Sequence, residues 1–234
     1  MPSRARRHQL NGTLVFHAYN RSNNRIPIFT RNEDFRHFIG LLKNYRDRFY
    51  LKIYHWSLMH THFHLLLELA DPREISRLMS GINRAYTHYH HKVHGTSGLL
   101  WQGRFGLQPI QKEPYLKACG RYIERNPVRA NIIQNAWEYQ FSSARFYCLG
   151  FNDGVTHENP LFARYGATIS LRRSHYTEYL RDFSAEEEGL FRNDPQPVGD
   201  EHFIRRLRFI DGRYLPVGRG HPRGTNRVIT SYGG

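Results

Sequence analysis

His62 and His64 stand one residue apart in the run Met59-His60-Thr61-His62-Phe63-His64-Leu65-Leu66-Leu67-Glu68. The run alternates with the period of a strand that has one buried face. His62, His64, Leu66 and Glu68 share one face, and Phe63, Leu65, Leu67 and Leu69 share the other. Two imidazoles held side by side on a rigid strand are natural ligands for a divalent metal ion. His60 is in phase with them, and three histidines in a row would suit zinc. It falls in the turn before the strand, which makes it the secondary candidate. A histidine pair alone also fits a solvated or phosphate-contacting surface, so its partners must be sought elsewhere.

The tyrosines supply a nucleophile to weigh. The chain has 15 of them. A phenol ionises only near pH 10, yet it can attack phosphorus when a metal neutralises the phosphate and a base takes the proton. Tyr122 and Asn126 lie four residues apart on a predicted helix and share a face. Asn126 offers a hard oxygen that would complement two imidazoles. Leu116, Cys119 and Ile123 form the adjoining apolar stripe, placing Tyr122 at its edge. On pattern alone Tyr122 reads more readily as an ordinary rim aromatic than as a nucleophile. Tyr86 and Tyr89 compete as nucleophiles, but the core stripe of their own helix accounts for them.

The elements that must position these residues follow from periodicity. Thr13 to Tyr19 reads as a first strand, Glu33 to about Tyr50 as a helix, and Leu51 to Leu58 as a second strand. The Met59–Thr61 turn joins that strand to the histidine strand as a hairpin. A long amphipathic helix runs from about Arg73 to His94 and ends at Gly95. Phe105 to Ile110 is a fourth strand, and Glu113-Pro114 opens a helix that Asn126-Pro127 kinks or breaks. The order βαββαβα predicts an α+β fold of the ferredoxin-like kind: a four-stranded antiparallel sheet with helices packed on one face. Short helices are expected at Ser174 to Phe183 and Asp200 to Ile210. The last stretch carries Arg213, Arg219, Arg223 and Arg227 among glycines and prolines and reads as a flexible basic tail. The expected organisation is a basic arm (1–11), a catalytic domain (12–150), a helical extension (151–212) and the tail (213–234).

Charge narrows the partner. The 34 lysines and arginines against 20 acidic residues give a formal charge of +14. Self-repulsion on that scale is best offset by a polyanion, with nucleic acid first and an anionic membrane surface second. Only Cys119 and Cys148 are present, so no disulfide framework is expected and a reducing cytoplasm fits. No apolar segment follows the basic start as a signal peptide requires, and no run reaches membrane-spanning length.

Several motifs together resemble one family. The His62-to-Leu67 run resembles the histidine–hydrophobic–histidine motif of HUH single-tyrosine transposases. Tyr86 to Gly95, Leu100 to Phe105, Arg121 to Ala130 and Trp137 to Tyr147 resemble the REP-associated tyrosine transposases in order and spacing, over about residues 12–150. That resemblance implies a ferredoxin-like catalytic domain with His62 and His64 as metal ligands, Asn126 as the third protein ligand and Tyr122 as nucleophile. It points to Mg²⁺ or Mn²⁺, whereas ligand softness alone ranks zinc higher for paired imidazoles. Two departures stand out: the family's Met-Pro-Asn before the first histidine is here Met59-His60-Thr61, and its Arg-Gly-Asn is Arg21-Ser22-Asn23. Neither removes a catalytic group.

The implied substrate is single-stranded or hairpin DNA, cut through a 5′-phosphotyrosine intermediate and rejoined. Arg4, Arg6 and Arg7 on the arm, Arg21 and Arg25 in the first loop, and Arg104 are the candidate DNA contacts. For each, a solvated surface charge is the plain alternative. No membrane or obligate protein partner is expected, and a monomer working on the bacterial nucleoid in the cytoplasm fits. Two other classes remain: a hairpin-binding module that no longer cuts, and a metal-dependent phosphodiesterase that uses water.

Overall fold

The computed structural model describes residues 15–192, 196–210 and 213–216. Arg4, Arg6 and Arg7, and the tail arginines Arg219, Arg223 and Arg227, lie outside the described residues. Strands β1 (Val15–Arg21), β2 (Lys52–Met59), β3 (His62–Glu68) and β4 (Gly106–Ile110) form one antiparallel sheet in the order β2-β3-β1-β4. His60 and Thr61 make the two-residue turn between β2 and β3. Across β1 and β3, Arg21 faces His62, Tyr19 faces His64 and His17 faces Leu66. The expected α+β sheet and its hairpin are therefore present.

One face is covered by α1 (Asn32–Phe49) and α2 (Ile75–His94). Phe16, Ala18, Phe63, Leu65 and Leu67 on the strands meet Phe38, Leu42, Leu78 and Ile82 on the helices. Helix α2 closes as expected on Gly95 at φ 65°, a left-handed turn that glycine adopts without a Cβ penalty. At the start of α1, buried Asp34 accepts from the backbone amides of Thr30 and Arg31, satisfying donors that the helix leaves unpaired.

The next helix differs from expectation. Helix α3 (Lys112–Glu124), followed by the single turn α4 (Asn126–Arg129), lies on the opposite face. Leu116, Cys119, Tyr122 and Ile123 pack there with Val15, Tyr54, Leu66 and Ile110. The sheet thus has helices on both faces rather than on one. The physical reason is that the second strand face is itself partly apolar, and burying it needs a cover. Gly120 allows the close approach: a Cβ there would sit 2.6 Å from His55 Nε2.

The extension packs on this second layer. Helices α5 (Ala144–Leu149) and α6 (Ile169–Arg181) share a core of Tyr147, Phe162, Tyr176 and Leu180. Leu161, Phe191 and Val198 join the cluster around α3, with Phe191 just beyond the short helix α7 (Ala185–Gly189). Helix α6 begins five residues before the expected Ser174, because the Thr168 hydroxyl caps it by accepting from the Leu171 amide. The helix expected over Asp200 to Ile210 is only α8 (Glu201–Arg205), followed by strand β5 (Leu207–Ile210). That strand pairs with β6 (Arg213–Pro216), so the stretch read as tail opens in a hairpin. Segments of four or five residues are too short for their periodicity to decide between helix and strand. No helix of the described residues is long and apolar enough to cross a membrane.

Candidate active site

Strand alternation puts His17 and Tyr19 of β1 and His62 and His64 of β3 on the face that α3 covers. The His62 and His64 rings stand perpendicular, 5.2 Å between centroids. Tyr122 projects from α3 with its ring edge-on to His64, centroids 5.7 Å apart. Asn126 follows one turn later, and its Nδ2 donates to the carbonyls of Tyr122 and Ile123 at 3.1 and 3.2 Å. With the amide nitrogen so engaged, the Asn126 oxygen is left to face the pocket, where it accepts from Arg129 Nη2 at 3.5 Å. The four residues expected to act together are thus brought together.

His60 is not among them. Its Nδ1 donates to the Phe29 carbonyl, 2.7 Å away, and its ring stands edge-on to Phe35 in the opposite layer. Because a carbonyl oxygen only accepts, this Nδ1 carries the proton. A turn residue escapes the alternation that places its neighbours, and so the phase argument did not apply to it.

Burial sets the protonation of the cluster. Desolvation holds His62 down to about 4, helped by the Arg21 charge and opposed by the Asn126 hydrogen bond. The same desolvation, with His17 and His62 nearby, holds His64 well below the ordinary histidine value. Desolvation pushes the Tyr122 phenol up, while the Arg129 guanidinium pulls it back by charge and by a hydrogen bond. At neutral pH the site therefore presents neutral imidazoles and an intact phenol beside a fixed cation.

Two neutral imidazoles and one amide oxygen fit a divalent metal, since all three can ligate without losing a proton. Among the described residues no group of three or more histidines, cysteines or carboxylates is gathered for a metal. The donor set rests on Asn126 as its third member. It would leave coordination positions open for a phosphate and water, as a catalytic rather than a structural ion requires.

The arginines divide. Arg21 is paired across the sheet with His62 and its charge is felt by both site histidines. Arg25 and Arg104 are exposed in the loops next to it. Those loops are tied to the same end of the sheet by the Ser22–Trp101 bridge and by the Asn23 amide on the Leu100 carbonyl.

Four further residues bear on the site. The Arg129 guanidinium stacks 4.3 Å over the Tyr122 ring and its Nη1 is buried with no hydrogen-bond partner. His17 is fully buried, its Nε2 2.8 Å from His64 Nδ1 and its Nδ1 3.3 Å from Gln108 Oε1. Glu124, fully buried, accepts from the Ser143 hydroxyl (2.6 Å), the Tyr176 hydroxyl (2.7 Å) and His55 Nδ1 (2.8 Å). Phe191 closes the pocket from the extension, 5.6 Å from the Tyr122 ring. Arg129 stood within the Arg121-to-Ala130 motif and was open to notice; His17, Gln108 and Glu124 meet partners 19 to 91 positions away, which no local pattern reveals.

Beyond α1 and α2, on the other side of the molecule, a groove of about 840 Å³ is lined by Arg48, Arg77, Arg84, Lys92, Phe49 and Tyr89 among others. Residues 12–126 match the family described as "Transposase IS200 like". A structure described as a REP-associated tyrosine transposase bound to a REP hairpin is 23% identical, with a TM-score of 0.47 over 57% of this chain and 77% of that one. A candidate transposase from Deinococcus radiodurans R1 is 19% identical, with a TM-score of 0.35 over 52% of this chain and 87% of that one. No curated protein matches the chain.

Proposed function

We propose that the chain, whose residues 12–126 match the IS200-like transposase family, is a metal-dependent transesterase of single-stranded DNA. The observation that carries this reading is the meeting of Tyr122 with His64 at 5.7 Å and with Asn126 one helical turn away. His62, His64 and Asn126 would hold a divalent ion, Mg²⁺ or Mn²⁺ in preference to zinc. Such an ion, when bound, supplies charge neutralisation and polarisation of a phosphate.

The chain's own residues do the rest. Tyr122 attacks phosphorus in line; a bond forms between its oxygen and phosphorus as the bond to the 3′ oxygen breaks. The products are a 5′-phosphotyrosine and a free 3′-hydroxyl, and the phenolic proton is balanced by the one the departing oxygen takes up. Arg129 favours the step because its charge opposes the burial that keeps Tyr122 protonated. Its unpartnered Nη1 is available to a phosphate oxygen. Re-attack by a hydroxyl on the phosphotyrosine reseals or transfers the strand with no external energy source.

Arg21, Arg25 and Arg104, with the arm's Arg4, Arg6 and Arg7, supply phosphate contacts. The motif resemblance along residues 86–130 favours hairpin-forming repeats with an unpaired flank as substrate. We take the protein to act as a monomer, in the cytoplasm on the nucleoid.

The test is incubation with an end-labelled single-stranded hairpin and Mn²⁺, read on a denaturing gel. A covalent protein–DNA band that disappears in Tyr122→Phe is expected. Cut DNA without a band would replace the reading by hydrolysis with water, and a native-gel shift without cutting would replace it by hairpin binding alone.

A further inference from the structure

His64 can serve as a ligand through only one nitrogen, and only if that nitrogen lacks a proton. The surroundings decide which one it is, beginning 126 positions downstream at the Leu190 carbonyl. That oxygen can only accept, and it lies 2.8 Å from Gln108 Nε2, so the amide nitrogen of Gln108 faces Leu190. The amide oxygen of Gln108 consequently faces His17, 3.3 Å from Nδ1. It too can only accept, so His17 Nδ1 carries a proton.

His17 is fully buried among the rings of Tyr19, His64, Tyr122 and Phe191, and an imidazole so enclosed stays neutral. A neutral imidazole holds one proton, so His17 Nε2 is a lone pair. It lies 2.8 Å from His64 Nδ1, which must supply the hydrogen. That leaves Nε2 as the unprotonated nitrogen of His64.

We propose that Leu190, Gln108 and His17 form a one-directional hydrogen-bond chain that fixes His64 as its Nδ1–H tautomer and turns a bare Nε2 lone pair toward the metal position. His17 and Gln108 are positioning residues that act through His64; His17 meets the Tyr122 ring only edge-on, centroids 5.7 Å apart. The role of Nε2 as a ligand rests on the metal reading above; the tautomer does not. Reversing any link would put two acceptors or two donors face to face in a buried setting, which costs more than the hydrogen bond is worth. Metal-bound histidines are commonly oriented in this way by an acceptor on the other nitrogen, and losing it typically weakens the metal 10- to 100-fold.

The experiment is a long-range ¹H–¹⁵N spectrum of the full chain without metal, together with Mn²⁺ titration by calorimetry in the absence of DNA. His64 should show a protonated Nδ1 and a bare Nε2. His17→Phe, which removes the acceptor but keeps a ring, should mix the two tautomers and weaken Mn²⁺ by roughly 10- to 100-fold. His17→Gln, whose side-chain oxygen can accept from His64, should recover most of that loss. If His17→Phe does not fold, Gln108→Leu frees His17 to reverse and should likewise mix the tautomers of His64.

A protonated Nε2 on His64 in the unsubstituted protein, or a His64 tautomer unmoved in whichever of His17→Phe and Gln108→Leu folds, would overturn the chain. A wild-type protein with the expected tautomer but no Mn²⁺ binding would instead remove the metal reading and leave the chain standing.

Discussion

The two faces of the sheet are made by the same four strands and share almost nothing else. Toward α1 and α2, Phe16, Phe63, Leu65 and Leu67 bury hydrocarbon against hydrocarbon. Toward α3, His17, His62, His64 and Gln108 bury nitrogen and oxygen, and each polar group must find a partner. The apolar face is stabilised by area removed from water and tolerates changes that conserve volume. The polar face is specified by directed hydrogen bonds and tolerates little. Alternation of side chains lets one short strand, β3, belong to both.

Four substitutions probe that division. Phe38, fully buried against Phe29, Phe63 and Tyr86, belongs only to the apolar face. Phe38→Ala should cost about 3–5 kcal/mol in denaturant unfolding, while the folded fraction keeps its Mn²⁺ affinity; a weakened affinity would mean the faces are coupled. Arg129→Gln should do the reverse. Covalent adduct formation should slow by roughly 10- to 100-fold, as for loss of one charged contact to a reacting phosphate, with the melting temperature nearly unchanged. A large drop in melting temperature would make Arg129 a structural residue.

Asp34 is the polar exception on the α1 side. Burial pushes its carboxyl up, but the amides of Arg31 and Thr30, His94 and the Tyr89 hydroxyl outweigh it and hold the carboxyl below the usual range. A lowered folded value means that its contribution is full above the unfolded value near 3.9 and is lost as pH falls below it. The gap in unfolding free energy between wild type and Asp34→Asn should be about 1–2 kcal/mol at neutral pH and narrow between roughly pH 4 and 2. A gap that widened on acidification would reverse the assignment. The smallest effect is expected for His60→Ala, which should leave Mn²⁺ affinity unchanged in the same titration. A tenfold weakening would return His60 to the ligand set.

What the sequence disclosed follows the same line. His62 and His64 were legible because a strand has period two, and Tyr122 with Asn126 because helix neighbours recur at four. Which face α3 would cover was not, since Val15, Leu66 and Ile110 gave the second face apolar residues whose use depends on packing. Nor was the α8–β5 boundary, where a helix of five residues and a strand of four are each too short to show a period. His17 and Glu124 were beyond reach for a different reason: each is an unremarkable residue until the chain folds and supplies its partners.

Glu124 carries a consequence for the order in which the protein is made. Synthesis runs from the N-terminus, so His62, His64, Tyr122 and Asn126 have all been joined before Asn159, Tyr176 or Phe191 exists. Until then Glu124 lacks the Tyr176 hydroxyl, His55 lacks the Asn159 side chain at 2.9 Å, and the Tyr122 ring lacks its cover. The reactive residues are early, and the contacts that seat their helix are late. A ribosome-bound chain would thus carry every reactive group some seventy residues before it could hold them still.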